Sequence, residues 1–144
     1  MGNKQYAAQQ LAERFVDQRE IQNIMGKYMF TTMICKDADV AARFWSKKAP
    51  EPALGLNDGW YVGLDAIDGY YQAISANTAV RSKAIQARFP EKLGSKTDEE
   101  LYGTGTMNVR PLTTVLVEVA GDGQTAKGLW QVMGVDNDIT EYGP

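Results

Sequence analysis

Apolar residues recur at helical spacing near the start of the chain. Ile21, Ile24, Met25, Tyr28, Met29 and Thr32 share one stripe, while Arg19, Glu20, Gln22, Asn23 and Lys27 take the other side. Leu11 and Phe15 extend the stripe backwards, so the pattern predicts one bent helix or two consecutive helices over roughly residues 4 to 35. Asp39 is placed to cap a short helix carrying Val40, Phe44 and Trp45, which must stop before Pro50. The stretch "PEPALGLNDGWYVGLDAIDGYYQAI" mixes Pro and Gly into an irregular connection, with a short extended piece at Trp60 to Val62. Leu64, Ile67, Tyr71 and Ile74 restore the helical period, and that helix, continuous or once interrupted, reaches Phe89 before Pro90. "EKLGSKTDEELYGTGT" reads as a polar loop with room for one helical turn.

From residue 108 the period changes. "NVRPLTTVLVEVAGDGQTAKGLW" reads as a β-hairpin turned at "GDG". A two-residue Asp122-Gly123 loop, closed by Gly121 and Gln124, sets Val119 opposite Ala126, Val117 opposite Gly128 and Val115 opposite Trp130. The other face then pairs Glu118 with Lys127 and Leu116 with Leu129, an opposite-charge pair beside an apolar one. Gly128 and Ala126 leave space beside Trp130 for a packed helix or, less economically, a ligand. Arg110 falls on the Leu116 and Glu118 face if the strand is regular through Pro111, and on the opposite face if a bulge intervenes.

Composition narrows what such a chain can do. Its 144 residues suit a single domain, and the 44% hydrophobic and 23% charged content is ordinary for a globular protein. A net charge of −3 leaves no basic excess for nucleic acid, and no apolar run approaches a membrane span. The N-terminus lacks a signal-peptide pattern, and one cysteine, Cys35, forbids an intrachain disulfide; both fit a cytoplasmic protein. The absence of histidine removes Ser-His and Cys-His nucleophile pairs and, with a single thiol, any structural zinc site. No carboxylate loop suggests magnesium or calcium, so neither a metal nor a cofactor is expected. "GTGTMN" is too weak a glycine pattern to cradle a phosphate.

The order of elements resembles a known superfamily. "REIQNIMGKYMF" in a second helix, "GWYVGLDAIDGYY" leading into a third, and "RPLTTVLVEVAGDGQTAKGLW" in a sheet resemble the nuclear transport factor two-like superfamily, in its SnoaL-like, polyketide-cyclase and ketosteroid-isomerase-like branch. That resemblance implies an α+β fold in which paired N-terminal helices wrap a curved antiparallel sheet into a cone with an apolar pocket. It also implies a homodimer or other homo-oligomer. Where many relatives have a histidine before Pro-Leu, this chain has Arg110. Where catalytic relatives project a carboxylate from the second helix, "YMFTTMICKD" has no acid before Asp37. Relatives also carry a further hairpin after the last strand, for which "QVMGVDNDITEYGP" is too short. The chain therefore reads as a version of the domain lacking its final hairpin, and its sheet is expected to be completed between chains through residues 125 to 140.

Each candidate site residue has a plain structural role beside its functional one. Tyr28 could donate to a ligand oxygen or serve as a core tyrosine bonded to a carbonyl. Asp37 reads first as a solvent-facing helix-end residue, with a carboxylate at the pocket mouth as its rival role. Arg110 could anchor a carboxylate or phenolate, stabilise an enolate, or make an ion pair in solvent; it cannot be a base. Met25, Met29, Trp45, Trp60, Tyr61, Tyr71 and Trp130 could line a pocket or fill a core. Asp58 suits a turn, and Asp65 and Asp68 suit the first turn of the third helix. These residues point to a small, partly apolar ligand. Cofactor-independent isomerase, cyclase or dehydratase chemistry beside a carbonyl is what the resemblance adds, and a non-catalytic ligand-binding or oligomerisation module is the alternative.

Overall fold

The computed structural model describes residues 7–56 and 59–138. α1 runs unbroken through Ala8–Met33, one helix rather than two, because its interior is mostly good helix formers and holds no proline. Gln10 reaches back to accept the Ala7 N–H at 3.1 Å. Only the second half of α1 is core. Met29 and Thr32 are buried, whereas Phe15 is 74% exposed and Leu11 and Ile24 are also open. The expected stripe fails in the first half because those turns meet a strand edge through polar side chains instead.

α1 ends in a tight left-handed turn. Cys35 takes φ 57°, its N–H bonding Thr32 O at 3.0 Å, while Lys36 N–H bonds Thr31 O at 2.9 Å. This is the paired closure of a Schellman motif with cysteine where glycine is usual. A single 3₁₀ turn, Asp37–Asp39, leads into α2 at Val40–Phe44. Asp39 caps nothing with its side chain and instead pairs with Arg43 at 2.9 Å.

β1 (Ala53–Leu56) and β2 (Gly59–Val62) form a hairpin in the segment expected to be irregular apart from Trp60 to Val62. α3 then runs without interruption through Leu64–Arg88, with Asp65 in its first turn. Two short helices, α4 (Pro90–Leu93) and α5 (Asp98–Leu101), occupy the expected polar loop. Gln86 holds them by donating to Leu93 O at 3.0 Å and Lys96 O at 3.1 Å, and Leu101 is fully buried. The main core joins α2 and α3 through Val40, Ala41, Ile67 and Tyr71, with Tyr28, Phe44 and Tyr70 packed against it.

The last part of the chain is one long β-ribbon. β3 (Thr106–Val109) pairs with β6 (Val135–Asp138), and β4 (Leu112–Val119) pairs with β5 (Ala126–Val132), all antiparallel. Val109 faces Val135 and Leu112 faces Val132, so Arg110–Pro111 lies opposite Met133–Gly134 and the register continues across the gap. Proline has no N–H to offer a ladder, which accounts for a break there. The β4–β5 register is the expected one at all five pairs. Its turn is longer, closed by Ala120 N–H to Thr125 O at 2.8 Å, because Asp122 accepts the Gln124 N–H and Gly123 takes φ 70°. The segment expected to be too short for a further hairpin supplies one strand, β6, paired within the chain.

That closing bond makes Val117 and Val119 a non-bonded row, whose carbonyls point away from β5. α1 covers them. Arg14 donates to Val119 O and Ala120 O at 3.0 and 2.9 Å, and Gln18 donates to Val117 O at 3.1 Å. The fold class is α+β with small antiparallel sheets. No described helix is long and apolar enough to cross a membrane.

Candidate functional site

A cavity of about 530 Å³ lies between α1, α3, β1 and β3. Three elements set its chemistry. α3 presents Tyr71, Ile74, Thr78 and Arg81, which the helical period stacks on one face. The end of α1 and its turn supply Tyr28, Met29, Cys35 and Asp37. From the ribbon come Thr106, Asn108 and then Arg110, alternate positions of an extended chain and so a shared side, with Met107 between them also at the wall. β1 adds Leu54 and Leu56, so the lining is part apolar and part polar.

At one end is a hydrogen-bonded pair of tyrosines. Tyr71, 3% exposed, shares a bond of 3.3 Å with the Tyr28 hydroxyl, and Trp45 packs against the core cluster that holds Tyr71. Either oxygen can donate in that bond, and Tyr28 also lines the cavity. Burial, then the bond to Tyr28, push the Tyr71 hydroxyl far above the ordinary tyrosine range. Phe44 meets the Tyr28 ring edge-on at 6.0 Å, and Tyr70 meets Tyr71 at 5.2 Å, which fixes both rings.

Asp37 supplies the one carboxylate among the described lining residues. It is 7% exposed. Burial raises its pKa above the usual carboxylate value, opposed by a hydrogen bond to its own backbone and by the Arg110 charge. The solvent-facing reading of Asp37 is thus replaced. The Schellman turn swings the chain back across α3, where Ala38 N–H bonds Ser75 Oγ at 2.9 Å, and Asp37 is carried inside. Burial, then the Asp37 charge, raise the neighbouring Cys35 thiol, which favours its neutral form.

The cavity brings together Tyr28, Met29, Asp37, Tyr71 and Arg110 of the expected site residues. Arg110 reaches it from the gap between the two ladders, and the register shift between Thr113 and Val115 defeats simple parity. The remaining five stand elsewhere. Met25 lies off the lining, and Trp45 packs against the core cluster that holds Tyr71. Trp60 is 76% exposed with its indole spread over Gly55, within 2.9 Å of where a Cβ would stand. Tyr61 stacks on Tyr70 at 4.8 Å. Trp130 folds over Gly128, so its own ring fills the space anticipated for a helix or ligand. Asp58 lies outside the described residues. Asp65 is in the first turn of α3, and Asp68 accepts from Gln72.

Sequence reasoning missed Arg81, Asn77, Thr78, Thr106 and Asn108, all in the lining. A signal was present in "TMNVR", whose alternate positions are all polar. Thr106 Oγ1 and Asn108 Oδ1 are buried and have no hydrogen-bond partner among the described residues. Among the described residues, no group of three or more His, Cys, Asp or Glu side chains could hold a metal ion. Comparisons with family models, curated proteins and solved structures return no match.

Proposed function

We propose that this chain binds a small, partly apolar, carbonyl-bearing molecule in the cavity and moves a proton on the carbon beside that carbonyl. The observation that carries this reading is the shared cavity of Asp37 and the hydrogen-bonded Tyr28–Tyr71 pair. Tyr28 donates to the carbonyl oxygen, and Tyr71 behind it supports the charge that develops there. Asp37 removes the adjacent proton as its carboxylate and returns it as the acid. Burial makes that carboxylate more basic, while Arg110 keeps it ionisable. The product is an isomer of the substrate, or a dehydrated one where a leaving hydroxyl sits one carbon further on. A SnoaL-like cone, with the helices wrapped over a curved sheet, is the fold in which we place this site.

Deuterium exchange tests the reading. Benzylacetone in heavy water, followed by proton NMR, should lose signal beside its carbonyl faster with the protein than without it. Tyr28→Phe and Asp37→Asn should each slow the exchange by roughly 10²-fold or more. Binding with no exchange would instead favour a ligand carrier.

A further inference from the structure

The hydroxyls of the cavity wall are mostly spent on the fold. Thr32 gives its proton to Met29 O at 2.9 Å and Thr78 gives its own to Ile74 O at 3.1 Å, the preceding helical turn supplying each acceptor. Tyr28 and Tyr71 bond each other. A strand has no such carbonyl beneath its side chains. On β3, Thr106 Oγ1 and Asn108 Oδ1 are buried in the lining with no hydrogen-bond partner among the described residues. The strand is also pinned in that place. Gly103 takes a left-handed φ of 80° and donates to Ser82 Oγ of α3 at 3.0 Å, Thr106 N–H returns to Gly103 O at 3.2 Å, and the ladder with β6 fixes the rest.

Water serves such oxygens in an open cavity, and a ligand that displaces it has to return the bonds. Leaving one buried polar group unmet costs roughly 5- to 150-fold in affinity, so an apolar group is selected against at this wall. The atom types define what is selected. Asn108 Oδ1 only accepts, whereas Thr106 Oγ1 has one proton to give and accepts as well. A ketone oxygen meets Thr106 and offers Asn108 Oδ1 nothing. An amino group gives protons to both but takes none from the Thr106 hydroxyl. A hydroxyl gives its proton to Asn108 Oδ1 and takes one from Thr106, and the same group serves if the Asn108 amide is reversed. Alternate residues on one side of a strand stand about 6.8 Å apart. Two bonds of about 2.8 Å through one oxygen span up to about 5.6 Å, so side chains inclined together by about 1 Å share it.

We infer that the cavity selects a hydroxylated carbonyl compound, its hydroxyl held between Asn108 Oδ1 and Thr106 Oγ1 while its carbonyl meets Tyr28. The body between the two groups is apolar, since Leu54, Leu56 and Ile74 complete the walls. A cavity of about 530 Å³ lies within the range that encloses a small molecule, about 300–1,000 Å³. The inference names a substrate class for the site proposed above and rests on that reading for the carbonyl. The hydroxyl position stands on β3 alone and is independent of whether the proton transfer occurs.

Calorimetry with benzylacetone and its para- and meta-hydroxy derivatives tests it. At least one derivative should bind wild type about tenfold more tightly than benzylacetone. Asn108→Leu should abolish that preference, and Thr106→Val, which loses only the hydroxyl, should reduce it. Both variants should melt at or above the wild-type temperature, because each removes a buried polar atom with no partner among the described residues. Tyr28→Phe should weaken all three probes alike and leave the preference intact. Derivatives that bind no more tightly than benzylacetone would overturn the inference, as would a preference that survives Asn108→Leu or the failure of all three to bind. A lower melting temperature in both variants would assign the two oxygens to the fold and overturn it as well. Failure of the carbonyl reading has a separate signature, in which benzylacetone binds wild type and Tyr28→Phe equally while the hydroxyl preference persists.

Discussion

Replacing Tyr71 with phenylalanine should test the tyrosine pair while leaving the Tyr28 hydroxyl in the cavity. The ring would keep its place between Tyr70 and the core, so the change is confined to one oxygen. That oxygen shares its 3.3 Å bond with Tyr28, whose own hydroxyl can turn to the cavity when the bond is lost. A net hydrogen bond is worth about 0.5–1.5 kcal/mol, and one of this length between two hydroxyls belongs in the lower half of that range. We expect a loss of about 0.5–1 kcal/mol, a fall in melting temperature of roughly 1–4 °C for a chain of this size.

Tyr28→Phe should cost more in both respects. It leaves the Tyr71 hydroxyl, 3% exposed, without that bond, at about 1–3 kcal/mol. It also deletes the donor that meets the carbonyl, so benzylacetone affinity should fall roughly tenfold, against a smaller fall for Tyr71→Phe. Thermal unfolding and calorimetry on the two variants form the assay. The expected result is Tyr28→Phe worse in both, and Tyr71→Phe worse in either would refute the reasoning.

Four further outcomes follow from particular contacts. Asp37→Asn should gain stability relative to wild type as pH rises: burial raises the folded pKa of Asp37, so its stabilising contribution is present below the unfolded pKa and lost as pH climbs through the folded one. Parallel pH–melting curves for the two proteins would contradict this. Arg110→Leu removes a charge that lowers that pKa, so the acidic limb of the exchange reaction should move to higher pH, and an unmoved limb would exclude the coupling. Gly103→Ala should cost about 1–2 kcal/mol or more in urea unfolding. Its φ of 80° strains an L-residue, and the new Cβ would stand 3.2 Å from Cys35 Sγ; an unchanged midpoint would show that the turn relaxes. The outward backbone groups of Ala126, Gly128 and Trp130 offer β5 as an edge, and we propose that it pairs with a second chain. Light scattering at micromolar concentration should give a dimer that Ala126→Pro, which deletes one outward N–H, converts to monomer; a wild-type monomer would end the idea.

The hairpin register was legible because a one-residue slip would bring Lys127 and Leu129 to the wrong face, and only one alignment pairs Glu118 with Lys127. α3 was legible because Ile67, Tyr71 and Ile74 keep a helical period that no breaker interrupts. The burial of Asp37 was not legible. It depends on Cys35 adopting a left-handed conformation that glycine usually supplies, and local propensity gives no reason to place that conformation at cysteine. β1 was hidden for a related reason: "ALGL" has little strand character alone and gains it from Trp60 lying across Gly55.

The polar row of β3 is the deepest of these failures, and the most informative. An inward-facing strand position ordinarily carries an apolar side chain, and hydrophobic pattern is the first signal by which a strand is recognised. Thr106, Asn108 and Arg110 erase that signal, and two of their buried oxygens have no partner among the described residues. A sequence that breaks a packing rule at the wall of a cavity, while obeying it in the adjoining β4–β5 ladder, compensates through something other than its own core. The residues hardest to read as structure are those with most to offer a ligand.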